Sequence, residues 1–181
     1  MKKILTLKLL MAFVFTTSFG QESINNFQVY NSEIIWQKVF ETAFTFEDLI
    51  EKVKDSGLLD KMEIGNNKIS CEFKEIGADF KGAGFTEMGT PMYLSRSHFT
   101  GFTILEFKDG KYRLTLKKIV LTQKYSDPLS EQGEKTSLEL YGLKSGKDEM
   151  TNAFIKSPSL ILNHTFLKKF DFKDSQTKKN W

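Results

Sequence analysis

Two runs, 99–108 and 111–121, are dense in β-branched and aromatic residues and flank Asp109-Gly110. Asp-Gly between such runs predicts a β-hairpin closed by a two-residue type I′ turn, since both turn positions then need positive φ. The turn also fixes register. Phe107 opposes Tyr112, Leu105 opposes Leu114 and Thr103 opposes Leu116 on the face expected to meet the core. On the other face Glu106 opposes Arg113, Ile104 opposes Thr115 and Phe102 opposes Lys117. A cross-strand ion pair explains Glu106 and Arg113. Phe102 and Ile104 beside it are apolar on an outer face, and so mark either internal packing or a partner surface.

The same patterning orders the rest of the chain. Residues 32–42 read as a strand. Thr45 opens a helix with Asp48 at the third position, a variant of the capping box. Phe46, Leu49, Ile50 and Val53 share one face of that helix, and Gly57 ends it. Two strands follow at 60–64 and 68–76, turned by Gly65-Asn66-Asn67, and then a glycine-rich stretch at 77–97. Residues 136–143 are expected to add an edge strand, and 148–155 a short helix. A last helix starts at Ser157 with Pro158 in its first turn. Its expected apolar stripe is Leu160, Leu162, Phe166, Leu167 and Phe170, interrupted by Asn163. The fold class is therefore α+β: an antiparallel sheet with two main helices on one face, in β-α-β-β-β-β-α order.

The first twenty residues change the picture of the compartment. Lys2-Lys3 precede the apolar run Leu9-Leu10-Met11-Ala12-Phe13-Val14-Phe15, and Ser18-Phe19-Gly20 then places small residues at the −3 and −1 positions. This predicts a signal peptide at 1–20 cleaved between Gly20 and Gln21. The run is too short to span a bilayer, which takes about 20 apolar residues. The expected division is a single domain at 21–170 and a polar tail at 171–181, with export to the periplasm or beyond and no transmembrane segment in the mature chain.

The formal charge of the 181 residues is +3. Lys2, Lys3 and Lys8 all fall in the leader, so the mature chain holds 23 basic against 23 acidic residues. No long-range attraction to polyanions follows, and nucleic-acid binding is disfavoured.

Candidate chemistry is sparse. Cys71 is the sole thiol and shares strand parity with Ile69 and Phe73, so it is expected in the core, inert and without a disulfide partner. His98 and His164 stand in none of the HxH, HxxxH or HExxH spacings, and no metal site is expected. No GxSxG elbow, SxxK pair or cysteine beside a base appears. Asp79 and Glu87 lie in the glycine-rich stretch without the alternating acids of a calcium loop. No cofactor is expected either, since Gly82-Ala83-Gly84 lacks the rest of a dinucleotide or phosphate-loop fingerprint. The stretch 77–97 carries Tyr93 and Arg96, with His98 at its exit, in a composition suited to an adaptable contact surface.

Ile35-Trp36-Gln37-Lys38-Val39-Phe40, the helix at 46–55, the hairpin Phe107-Lys108-Asp109-Gly110-Lys111-Tyr112-Arg113-Leu114, the Ser-Phe-Gly-Gln junction and the closing Lys178-Lys179-Asn180-Trp181 together carry a resemblance. The chain resembles a bacterial family of secreted proteins of unknown function with a TATA-binding-protein-like (TBP-like) fold, over roughly residues 27–121. The resemblance implies that fold. It implies no catalytic residue and no DNA binding, because function resides in sites and not in folds.

The functional expectation is a non-catalytic binding domain. Its contact residues are Phe102, Ile104, Tyr93, Arg96 and His98, and its partner is an envelope protein or a second copy. The alternatives are a carrier whose two helices grip a small apolar ligand against the sheet, and an enzyme using Arg96, His98 and a nearby acid.

Overall fold

The computed structural model describes residues 23–126 and 130–174. The leader, its cleavage junction and residues 175–181 lie outside the described residues. Strands β1 (Phe27–Tyr30), β2 (Glu33–Glu41), β3 (Leu59–Gly65), β4 (Lys68–Gly77), β5 (Ser97–Lys108), β6 (Lys111–Gln123) and β7 (Lys135–Ser137) form one antiparallel sheet. Its order is β1-β2-β6-β5-β4-β3, with β7 paired to the far end of β6. The helices are α1 (Phe46–Ser56), α2 (Met92–Ser95), α3 (Leu138–Gly142), α4 (Asn152–Lys156) and α5 (Pro158–Phe170).

The β5–β6 hairpin has the expected register from the turn to Phe102–Lys117, and beyond that pair a bulge shifts it by one residue, so that Thr100 pairs with Val120. Phe107 pairs with Tyr112, Leu105 with Leu114, Thr103 with Leu116, and on the other face Glu106 with Arg113, Ile104 with Thr115 and Phe102 with Lys117. Asp109 (φ 50°) and Gly110 (φ 68°) both take the left-handed conformation that a type I′ turn demands. Helix α1 is capped as its sequence directs. The Thr45 hydroxyl accepts from the Asp48 amide, the Asp48 carboxylate accepts from the Thr45 amide, and Gly57 closes the end at φ 63°.

Three expectations are corrected. First, a strand precedes the expected one: β1 pairs with β2 through Asn31 (φ 50°) and Ser32 (φ 59°), a tight turn without glycine. Second, 136–143 is mostly helical. Only three residues extend as β7 before α3 begins, because the helix brings Leu138 and Gly142, one turn apart, to the same buried side. There Gly142 abuts Ile34 and Phe154, and the Glu139 carboxylate accepts from the Ile34 amide at 3.0 Å. The helix expected at 148–155 is α4, which starts only after Thr151, whose hydroxyl accepts from the Phe154 amide.

Third, the buried side of α5 is rotated from the expected stripe. Leu160 is 42% exposed, whereas Ser159, Ile161, Leu162, Thr165, Phe166 and Phe170 are buried. Ser159 and Thr165 can enter the core because each hydroxyl donates to the carbonyl one turn back, at Ile155 (2.9 Å) and Ile161 (2.8 Å). Ser157 precedes the helix but its side chain makes no capping bond.

The five α-helices of the described residues pack on one face of the sheet. Phe46 of α1 meets Phe107, Leu94 of α2 is fully buried in the core, Gly142 of α3 abuts Ile34, Phe154 of α4 meets Phe27, and Phe166 of α5 meets Trp36 and Phe73. Aromatic rings thus occupy the interlayer space. Burial also extends beyond the expected domain edge: Phe172 is 3% exposed, and its amide donates to the Tyr112 hydroxyl, which in turn donates to the Phe170 carbonyl. Burial pushes the Tyr112 phenol well above its usual range.

Asn163, the interruption in the expected stripe, is a connector. Its Oδ1 accepts from the indole of fully buried Trp36 (3.0 Å) and from Asn26 Nδ2 (2.7 Å). Asn25 adds a bond to the Ser159 hydroxyl at 2.8 Å. Replacing Asn163 with Leu would strand a buried indole N–H. The expected loss is about 1–3 kcal/mol of stability, read as a lower urea midpoint at unchanged slope.

Candidate functional sites

The five residues singled out in the sequence separate into two places. Phe102 and Ile104 are half-buried on the outer face of the sheet, where Lys117 lies over the Phe102 ring at 5.4 Å. Row by row across that face, Gln37, Thr115, Ile104 and Ser70 align, as do Val39, Arg113, Glu106 and Lys68. By strand alternation Tyr30 and Ile35 share this face. Tyr30 is 62% and Val39 49% exposed. The charges are largely matched within the face. Arg113 donates from Nε and Nη2 to Glu106 (2.9 and 2.7 Å), Lys111 pairs with Glu41 at 3.0 Å and Lys61 with Glu72 at 2.9 Å. No helix among the described residues covers it.

Tyr93 and Arg96 are elsewhere, at the far end of the inner face. They line a cavity of about 370 Å3 between α2, the far ends of β5 and β6, β7 and α3. Tyr141 of α3 stacks on Tyr93 with ring centroids 4.2 Å apart and planes within 6°. Burial, then the neighbouring Tyr141, pushes the Tyr93 phenol well above its usual range. Polar groups complete the wall: Ser97, Gln123, Glu134 and Thr136. Sequence reasoning missed Tyr141 and Glu134, which no local spacing connects to Tyr93 over more than forty residues.

By strand parity His98 stands on the outer face with Phe102 and Ile104, at its far end, and it completes no catalytic array with Arg96. It pairs with Thr122 and Gly77, and strand alternation turns it to the side opposite Ser97, which lines the cavity. Its Nδ1 is buried without a hydrogen-bond partner. Arg96 and His98 therefore do not face one another. Among the described residues no three His, Cys, Asp or Glu side chains converge as a metal site would need. Cys71 is 1% exposed, and burial pushes its thiol up to about 12.

The glycine-rich stretch is stitched to α5 at Asp79. The Asp79 amide donates to the Thr165 hydroxyl (2.9 Å), while its carboxylate accepts from Lys168 Nζ (2.7 Å) and the Gly82 amide (2.9 Å), with His164 Nε2 at 3.6 Å. Lys168 above all, then Gly82, holds the Asp79 carboxyl below its ordinary value of 3.8. A carboxyl depressed on folding contributes stability that is complete above that value and fades as pH falls through the lower folded one.

The comparisons with known proteins find structural likeness only. The chain is similar to a TBP-like protein from Parabacteroides distasonis, with 18% identity, a TM-score of 0.45, and coverage of 81% of this chain and 96% of that one. It is also similar to a DUF4468 family protein from Bacteroides ovatus, with 12% identity, a TM-score of 0.48, and coverage of 86% and 94%. The first is described by the same fold name as the resemblance read from the sequence. No family model matches, and no curated protein matches.

Two outcomes are expected here. Asp79→Asn should remove the part of the acid-induced loss of stability that lies below about pH 4, narrowing the gap between variant and wild type in urea titrations as pH falls. Cys71 should resist thiol reagents in the native protein at pH 8 and react at once when the protein is unfolded in urea.

Proposed function

We propose that the protein is an exported, non-catalytic binding domain that docks a partner protein on the outer face of its sheet. One observation carries the reading. Every helix of the described residues packs on the inner face, leaving Tyr30, Ile35, Val39, Phe102 and Ile104 on a broad strand surface with none of those helices over it. Single exposed apolar residues need no explanation; here five share one face, Phe102 and Ile104 on β5 and Tyr30, Ile35 and Val39 on β1 and β2, with Gln37, Arg113, Thr115 and Lys117 interspersed. Three cations of this face, Lys61, Lys111 and Arg113, are already paired with acids, which weakens its pull on a polyanion or an anionic membrane. A protein surface of mixed apolar and polar character is the complementary partner.

The leader at 1–20 supports export, and the separation of Arg96 from His98 supports a role without catalysis. Among the described residues, no helix is long and apolar enough to cross a membrane. The carrier alternative finds its proposed position, between α1, α5 and the sheet, taken by Phe73, Phe166, Phe170 and Tyr112.

A photo-crosslinking amino acid at Val39, expressed in the native host, should trap one discrete protein. Phe102→Ser together with Ile104→Ser should abolish that product and move the melting temperature by no more than about 4 °C. A product of twice the chain's mass would identify the partner as a second copy. A collapse in stability would show that both side chains are structural and defeat the docking surface. The intact mass of the host-derived protein should begin at Gln21; a start at Met1 would overturn export.

A further inference from the structure

Strand β1 covers only part of β2. The chain doubles back at Asn25 (φ 52°) and Asn26 (φ 63°), where Ile24 pairs with Phe27, so β1 reaches no further along β2 than Trp36. The other side of β2 is taken by β6. Lys38 and Phe40 pair with Leu114 and Tyr112, and the Thr42 amide donates to the Gly110 carbonyl at 2.8 Å. In an antiparallel pair, alternate residues send both main-chain groups to the partner strand, and those between send theirs away. Lys38, Phe40 and Thr42 therefore face β6, while Val39 and Glu41 each turn an N–H and a C=O to the open side. The Gln37 amide, of the same parity, marks that direction by donating to the Asn26 carbonyl at 2.9 Å. Among the described residues, nothing bonds to the main-chain groups of Val39 or Glu41 on that side.

Two other exposed stretches of strand are guarded. Where β2 parts from β6, the Ile34 amide is capped by the Glu139 carboxylate at 3.0 Å. The edge strand β3 is broken by a bulge between Asp60 and Glu63, with Lys61 at φ 49°, and these three charges hinder any added strand. Residues 38–41 have neither a bulge nor a capping side chain. We propose that they take up an extended segment of the partner protein as an added strand. The surface is open on both sides of the site: a hollow of about 760 Å3 adjoins Val39, and one of about 690 Å3 adjoins Glu41 and Thr42. At about 3.3 Å per residue the free stretch is about 13 Å long, and its two outward residues offer four main-chain hydrogen bonds.

Side chains state what the segment carries. Val39 is 49% exposed on the outer face, which the added strand would continue. Lys38 shares parity with Trp36 and Phe40, is half-buried, and makes no ion pair among the described residues. A residue opposite Lys38 stands on the inner side beside its ammonium, and the neighbouring residue, opposite Val39, stands on the outer side. The complementary segment therefore has an acid next to an apolar residue. This contact presupposes the docking reading above and adds the main chain to it.

The test selects binders from a displayed library of random octapeptides on the immobilised full chain. The most enriched peptide is then synthesised and titrated into the isotope-labelled protein. Enriched peptides should share an acid adjacent to an apolar residue. Bound peptide should slow amide hydrogen exchange at Val39 and Glu41 about tenfold or more. Val39→Pro keeps every bond to β6, because the lost N–H points away, and should weaken binding about tenfold or more. Should that variant fail to fold, Lys38→Glu gives the second reading: binding should fall, and return when the peptide's acid is replaced by lysine. No enrichment over bare resin, binding indifferent to these substitutions, or Val39 and Glu41 amides already protected in the free protein would each overturn the proposal. The last would mean that this chain fills the edge itself. None of these results bears on Phe102→Ser with Ile104→Ser, by which the docking face stands or falls.

Discussion

Everything in this molecule depends on the pairing of β5 with β6. The Asp109-Gly110 turn sets their register, and register decides which side chains face the helices. A slip of β6 by one residue would carry Tyr112, Leu114 and Leu116 to the open side. Both strands are central, so β2 and β4 inherit their faces from this hairpin. The split between an inner aromatic core and an outer mixed face is thus the propagation of one turn across six strands.

The helical layer is held by a different logic. Helix α5 buries serine and threonine among phenylalanines beside a half-buried asparagine, and the three are answered: two hydroxyls by carbonyls of the preceding turn, and Asn163 by Trp36 and Asn26. Satisfied polar groups in a packed layer add little net stability, but they make an alternative docking of the helix costly. Tyr112 plays the same part at the other end, holding the chain on both sides of Asp171.

What could be read in the sequence followed from local rules. The hairpin, the α1 caps and the burial of Cys71 are each specified within a dozen residues, by turn chemistry, capping side chains or alternation. What could not be read depends on distant contacts. Asn31-Ser32 carries a weaker turn signal than Asp-Gly, so β1 escaped notice. The α3 segment becomes a helix because Ile34 and Phe154 press on Gly142, over a hundred residues from the first of them. The rotated face of α5 is legible only once the backbone partners of Ser159 and Thr165 are known. Among the site residues, Phe102 and Ile104 were identified by parity alone, whereas the cavity at Tyr93 needed Tyr141 and Glu134 brought in by tertiary folding.

The bonds from Asn25 and Asn26 to Ser159 and Asn163 join the start of the described chain to its last long helix, across 134 and 137 residues. A chain that emerges amino end first, from a ribosome or through a membrane pore, therefore makes its first strand long before that strand's helical partners exist. Phe27 and Trp36 must wait, uncovered, until α4 and α5 follow. The fold can close only when nearly all of its length is free, so its vulnerable interval is set by the time of synthesis or passage as much as by the folding rate itself.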